Sequence, residues 1–144
     1  MGELTGCHSL RDFQASGDSL QVYEADKLIF TSEKARLLPL LEYIARFSSR
    51  YRQVRVFDKV MGNGAALLSV LANCRKVYSP LGSQPAISTL DKYHISYHIT
   101  NIVPYILKTP EGEMCPMEKL SLHKDPEEFY AAITDIINTR DSKM

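Results

Sequence analysis

The stretch from Val54 to Leu68 constrains the fold of this chain more than any other. It begins with β-branched and apolar residues, passes through Asp58-Lys59 and the turn Gly62-Asn63-Gly64, and continues as a segment that is apolar on nearly every side. This order predicts a buried strand, a tight turn and a central helix. A helix without a polar face has to pack against a sheet and be covered by other elements. In open α/β sheets, ligands bind beyond the carboxyl ends of the strands and beside helix N-termini, so this turn marks the first candidate site.

The elements around this stretch alternate in type along the chain. Hydrophobic spacing, proline and glycine positions, and capping residues set their limits. The predicted elements are a short helix over His8–Ser16, a hairpin of Leu20–Glu24 and Leu28–Thr31, a helix from near Leu38 to Phe47, a strand over Gln53–Phe57, the central helix over Asn63–Asn73, a short strand at Val77–Tyr78, a helix capped by Ser83, a single bent strand within Ile95–Leu107, a short helix from Pro116 and a last helix capped by Asp125. Helices and strands that alternate after a hairpin predict the α/β class, with a mixed sheet of about five strands sandwiched by helices.

Composition limits the classes of partner. The length of 144 residues suits one domain over residues 1–144, with a core of about residues 18–138 behind the short first helix. The 17 basic and 17 acidic side chains cancel, so no global field attracts nucleic acid or an anionic membrane. The three scattered cysteines, Cys7, Cys74 and Cys115, suit a reducing compartment better than a disulfide framework. Because the chain also lacks a signal-peptide pattern and a membrane-length apolar run, we expect a cytoplasmic protein with neither nucleic acid nor membrane as a partner.

Two short motifs carry a resemblance to a known family. They are the segment from Phe57 to Ala66 and the later Cys115-Pro116-Met117-Glu118. On these motifs and the order of elements, the stretch from about Leu20 to Ile137 resembles a bacterial family of domains of unknown function, number 1893 in its series. The resemblance implies a cytidine-deaminase-like fold, which is a three-layer α/β/α sandwich. It implies an architecture and no settled activity.

The chain departs from true deaminases where the metal would bind. A zinc deaminase carries His or Cys followed by Ala-Glu at the start of one helix, and Pro-Cys-x-x-Cys at the start of the next. This chain offers Asp58–Gly64 at the first position and Ser79–Ser83 at the second, and neither contains the soft ligands that zinc prefers. We therefore predict no metal and no other cofactor. A zinc hydrolase or deaminase with unusual ligands is the disfavoured alternative.

The turn after the buried strand supplies the first candidate residues. Asp58 could act as a general base or a hydroxyl acceptor, and Lys59 as an anion clamp; the alternatives are a carboxylate that caps the turn and a lysine that reaches solvent. The backbone N–H groups of Gly62, Asn63 and Gly64, aided by the helix dipole, could hold a phosphate or carboxylate. Alternatively, small residues here let the helix and the strand pack closely. Both interpretations can hold together.

A second group of candidates follows the next strand. Ser79 and Ser83 are predicted to lie in the loop after the short strand at Val77–Tyr78, with hydroxyl groups that face the same crevice. Capping of the following helix by Ser83 explains that residue equally well. We include both serines in the predicted ligand site.

Cys115 and Glu118 are the third group. A thiol at the start of a helix has its thiolate stabilised by the helix dipole, and Glu118 one turn later could act as its acid or base, or complete a capping interaction. The alternative is that Cys115 is a small packing residue. A nucleophilic cysteine also needs a base, and the sequence places none of His94, His98 and His123 beside it.

Two functions follow from these residues. The first is a domain that binds a small ligand, nucleoside-like or anionic, with zinc-independent catalysis by Cys115, Asp58 and Glu118. The second is a non-enzymatic scaffold or regulatory module that keeps the fold and forms a homodimer or binds a partner. For the second function, the apolar strand from Tyr97 to Leu107 is the expected interface.

Overall fold

The computed structural model describes residues 5–109 and 112–142, and the side chains of residues 10–109 and 112–138. Its helices and strands follow the predicted alternation. In chain order they are α1 (Thr5–Ser16), β1 (Leu20–Glu24), β2 (Lys27–Ser32), α2 (Leu38–Phe47), β3 (Val54–Asp58), α3 (Asn63–Leu71), β4 (Cys74–Ser83), α4 (Gln84–Lys92), β5 (Ser96–Val103), α5 (Pro116–Ser121) and α6 (Pro126–Ser142).

The strands form one mixed sheet in the order β2-β1-β3-β4-β5. Strand β1 is antiparallel to both β2 and β3, whereas β4 is parallel to both β3 and β5. The parallel strands are joined by α3 and α4, as crossover connections require. The prediction of an α/β protein with a mixed sheet of five strands is therefore confirmed.

The two faces of the sheet have separate hydrophobic clusters. Because successive side chains of a strand point to opposite faces, Val56 belongs to the main core while its neighbour Phe57 belongs to a smaller cluster. Helices α2, α3, α4 and α6 all contribute to the main core. On the opposite face, Phe57 stacks on Tyr78 with ring centroids 4.4 Å apart, and Leu10 and Phe13 of α1 pack there. Helix α3 is buried along most of its length, as its composition predicts.

Strand β4 is longer than the sequence indicates. It extends over Cys74–Ser83, so the prediction of a short strand at Val77–Tyr78 followed by a loop is wrong. Two pairings extend it. Strand β5 pairs with β4 as far as Ser83. On the other side, the chain after β3 returns to the sheet at Met61: the Met61 N–H donates to the Leu81 carbonyl at 2.8 Å, and the Ser83 N–H donates to the Met61 carbonyl at 3.2 Å. These bonds extend β4 through Pro80 and Gly82, residues of low β propensity.

Strand β5 is shorter than the sequence indicates and lies at the edge of the sheet. It ends at Val103, before Pro104, whereas one bent strand was predicted as far as Leu107. Leu107 instead forms an isolated antiparallel bridge with Met114. Pro104, which can donate no ladder hydrogen bond, directly follows the end of the strand. Helix α3 also ends earlier than predicted, since Asn73 adopts a positive φ of 60°.

Gly82 tests this account of β4. A Cβ atom added there would lie 2.9 Å from Ile99 Cδ1 and 3.2 Å from the Met61 carbonyl oxygen. We expect Gly82→Ala to lower the free energy of unfolding by about 1–3 kcal/mol through overpacking. Urea denaturation would measure this, with Ser88→Ala at an exposed helical position as the control. Equal midpoints for the two variants would contradict the close approach of β4, β5 and Met61.

Candidate functional site

The N-terminus of α3 holds an anion that belongs to the protein itself. The Asn63 N–H, the first of the helix, donates to Glu118 Oε1 at 2.6 Å, and the Ile106 N–H donates to Glu118 Oε2 at 2.7 Å. Glu118 is only 2% exposed. A carboxylate at this point is stabilised by the free N–H groups and the dipole of the helix. The turn was predicted to hold a phosphate or a carboxylate. A carboxylate does lie there, and it is the side chain of Glu118 in α5.

The Asn63 side chain extends this contact to two further helices. Its Oδ1 accepts a hydrogen bond from the Thr89 hydroxyl of α4, and its Nδ2 donates to Ser121 Oγ at 3.1 Å and to the Ser121 carbonyl at 3.2 Å. The Ser121 hydroxyl in turn donates to the Glu118 carbonyl at 2.6 Å. Asn63 and Ser121 are buried. Because buried polar groups are costly when unpaired, this network fixes α3, α4 and α5 relative to one another.

The two glycines beside Asn63 allow close packing. A Cβ atom on Gly64 would lie 2.8 Å from Phe129 Cζ of α6, and one on Gly62 would lie 3.1 Å from Ile106 Cγ1 and 3.2 Å from Glu118 Oε1. Both glycines thus allow a close approach, but of α5, α6 and Ile106, whereas the packing alternative expected the approach of a strand. Ligand binding by Gly62, Asn63 and Gly64 stays a prediction, with one of the three N–H groups already bonded to Glu118.

Asp58 is the last residue of β3 and is only 7% exposed. Burial raises the pKa of its carboxyl group to about 7, although the backbone N–H groups of Val60 and Lys59 oppose that shift. Among the described side chains, no cation forms an ion pair with it. Lys59 is exposed. A buried carboxyl group that titrates near neutrality is what a general acid or base requires, and also what burial alone can produce.

Ser79 and Ser83 lie in β4 rather than in a loop, which corrects their predicted placement. Both are fully buried and bonded locally. The Ser79 hydroxyl donates to the Leu81 carbonyl at 2.8 Å, and the Ser83 hydroxyl accepts from the Ala86 N–H at 3.3 Å. The interpretation of Ser83 as the N-cap of the next helix is confirmed.

Cys115 is the half-buried N-cap residue of α5, whose side chain makes no capping hydrogen bond. Its N–H donates to the Ile106 carbonyl at 2.9 Å. His94, His98 and His123 are all exposed. Reactivity of Cys115 stays a prediction.

Of the other two cysteines, Cys74 is buried. Burial raises the pKa of the Cys74 thiol to about 12, which keeps it protonated. The side chain of Cys7 lies outside the described residues.

The structure also brings together residues that the sequence did not connect. Glu118 meets Asn63 across 55 positions of sequence, and Thr89 and Ser121 were not candidates at all. The sequence does contain a Glu three residues after the N-cap of a short helix, which suggests a local cap. No local pattern indicates that this carboxylate caps a different helix.

The described part of the chain, residues 5–109 and 112–142, contains no candidate membrane span and, among its described side chains, no candidate metal site. Among the side chains of residues 10–109 and 112–138, no three of the types His, Cys, Asp and Glu converge as metal ligands would. None of the helices in the described part of the chain is both long enough and apolar enough to cross a bilayer.

These features define an α/β protein with a mixed five-stranded sheet and a central helix whose N-terminus is held by an internal carboxylate. The chain belongs to a family described as a domain of unknown function, DUF1893, whose model matches residues 10–137. It is similar to the crystal structure of a DUF1893 family protein from Thermotoga maritima: the two are 28% identical with a TM-score of 0.80, over 90% of this chain and 87% of that one. A comparison with curated proteins gave no match.

Glu118 provides a prediction about stability. Glu118→Ala would leave two backbone donors without an acceptor, and we expect the free energy of unfolding to fall by about 2–5 kcal/mol. Glu118→Gln keeps one acceptor oxygen and should lose roughly half as much. Urea denaturation would compare both with Lys119→Ala, an exposed change on the same helix. If all three variants had the same midpoint, Glu118 would not hold these segments together.

Asp58 provides a prediction about pH. Its carboxyl group titrates near pH 3.8 when unfolded and near pH 7 when folded, so the folded state binds more protons between these values. The stability that it contributes is present below about pH 4 and is lost as the pH rises to about 7, by at most about 4 kcal/mol. Asp58→Asn should remove this slope and be the more stable form at pH 8. Urea denaturation from pH 4 to 8 would measure both proteins, and parallel curves would contradict the raised pKa.

Proposed function

We propose that this protein is a non-enzymatic scaffold or regulatory module with a cytidine-deaminase-like, three-layer fold, in which the protein's own side chains fill the position of the former active site. The fold assignment is supported by the strand order β2-β1-β3-β4-β5 and by helices on both faces of the sheet. In zinc deaminases, helix starts supply the metal ligands and the proton shuttle. In this chain the start of α3 is Gly62-Asn63-Gly64, which offers no such side chain.

The single observation that carries the proposal is the pair of hydrogen bonds made by Glu118. Its carboxylate takes the N–H of Asn63 at 2.6 Å and that of Ile106 at 2.7 Å while almost fully buried. An anionic ligand at the start of α3 would have to displace this carboxylate and break both bonds. Phe129 against Gly64 closes the same region from α6. Because the two backbone N–H groups already donate to an acceptor within the protein, an anionic ligand would add little binding free energy at this position.

Removal and replacement of the carboxylate test this proposal. Glu118→Ala should open an anion site at the α3 N-terminus, and acetate or propionate should then stabilise the variant. At ten times its dissociation constant, the added anion should return about 1.4 kcal/mol. The wild type and Lys119→Ala should show no more stabilisation by these anions than by NaCl at equal ionic strength. The measurement is the urea midpoint in each salt.

A thermal-shift screen of the wild type supplies the opposing outcome. It would use nucleosides and small anions as probes. A compound that stabilises the wild type, with Glu118 in place, and whose effect disappears in Asp58→Asn would overturn the non-enzymatic proposal.

Asp58 favours a second candidate function, the binding of a small nucleoside-like ligand. A buried carboxyl group with a pKa raised to about 7 can donate a hydrogen bond when neutral and accept a proton when charged. It lies at the end of β3 beside the exposed Lys59, on the side of the sheet where ligands bind in related architectures. In this function Glu118 keeps its structural role, and Cys115 is the remaining nucleophile candidate.

A further inference from the structure

Strand β5 forms one edge of the sheet and pairs only with β4. It is eight residues long, and its register with β4 runs from Ser96 to Val103 without a recorded bulge. Along its outer side, the described part of the chain supplies no strand to pair with the backbone N–H and C=O groups. An edge of this length is a template for pairing with another strand, unless charges, proline or bulges protect it.

The β5 edge lacks those protections. From Tyr93 to Leu107 the sequence contains no Asp, Glu, Lys or Arg, although 24% of the chain is charged. The only proline of that stretch is Pro104, which follows the strand. The opposite edge, β2, differs: it begins with the exposed Lys27, is followed by Glu33 and Lys34, and its pairing with β1 is interrupted by a bulge or irregularity. One edge is protected in the usual ways and the other is open.

Apolar side chains accompany the open edge. Ile102, Tyr105 and Leu107 are 46%, 42% and 48% exposed. On the face of β5 that borders the main core, Tyr97 and Ile99 pack against that core but are only half-buried. A strand added beside β5 would complete the burial of these two side chains and supply the missing backbone partners.

We propose that the β5 edge pairs with the β5 edge of a second copy of this chain, in antiparallel orientation about a two-fold axis. The two five-stranded sheets then form one continuous sheet of ten strands. This inference rests on the proposed scaffold function and names its partner.

Charge is the reason for choosing a second copy as the occupant. In a two-fold antiparallel pair, the residues of a strand lie opposite residues of the same strand, so charged side chains of one sign would repel each other. Because β5 contains no Asp, Glu, Lys or Arg, and His98 is its one side chain that can become a cation, it avoids most of that repulsion. The same lack of charge leaves β5 without a means to select an acidic or basic peptide. The exposed apolar residues at its end add contact area in either copy.

Lysine substitution at matched positions of the two edges tests the pairing. Thr100 and Thr31 are exposed threonines within β5 and β2 respectively. Because Thr100 lies near the middle of β5, Thr100→Lys would place two cations close together across the two-fold axis. Thr31→Lys makes the same chemical change at the opposite edge. Ile102→Lys is a second variant at the β5 edge.

Sedimentation velocity over a concentration series would give the masses. We expect the wild type and Thr31→Lys to form a dimer of two 16.3 kDa chains, and both β5 variants to dissociate at least tenfold more readily. Circular dichroism would establish that each variant is folded. A wild type that stays monomeric at about 100 μM, far above the dissociation constants of specific complexes, would overturn the inference. A dimer that both β5 variants leave intact would overturn it equally.

The two proposals fail separately in these experiments. A monomeric wild type removes the β5 pairing and leaves the anion measurements on Glu118→Ala unaffected. A ligand that stabilises the wild type and loses its effect in Asp58→Asn removes the non-enzymatic function and leaves the mass of the dimer unaffected.

Discussion

The contact on which the site depends is the Glu118 carboxylate between two backbone N–H groups. One belongs to the first turn of α3 and the other to Ile106, in the segment after β5. A helix N-terminus leaves several N–H groups without partners and carries a partial positive charge, so a buried acceptor there is favourable. This single carboxylate therefore joins the central helix, the segment that leaves the sheet, and α5. The Asn63 side chain adds separate contacts with Thr89 of α4 and Ser121 of α5.

Because of this contact, the Gly-Asn-Gly turn has an acceptor from the protein itself at the position where an external ligand was predicted. Glycine-rich turns before a helix commonly hold phosphate or carboxylate ligands. Here the ligand position and the packing position coincide, because the small residues admit both Glu118 and Phe129. Asp58, at the end of β3, also accepts from two backbone N–H groups, those of Val60 and Lys59, but burial outweighs these bonds and raises its pKa to about 7. The site thus contains one carboxylate that is stabilised by the fold and one carboxyl group that is held at a cost in free energy.

Local sequence patterns predicted most of the elements because their determinants lie within a few residues. Asp125 and Glu128 form a capping box at the start of α6, and Ser83 caps α4. In both cases the two bonded residues are three positions apart in the sequence. The length of β4 was not predictable in this way. It depends on Met61, which returns to the sheet opposite Gly82 from a separate part of the chain. Pro80 and Gly82 lower the local β propensity, and two non-local pairings compensate for it, the bridge to Met61 and the ladder with β5.

The sequence by itself determined the α/β class, the order of elements, the strand-turn-helix unit from Val54 to Leu68, and membership of the DUF1893 family. The tertiary structure decided which groups meet: that Glu118 bonds to Asn63 across 55 residues, that Thr89 and Ser121 complete the network, and that Asp58 is buried away from any described cation. The physical reason is that propensity and capping act over one or two turns of chain. Desolvation and the pairing of distant polar groups depend on how all the elements pack together.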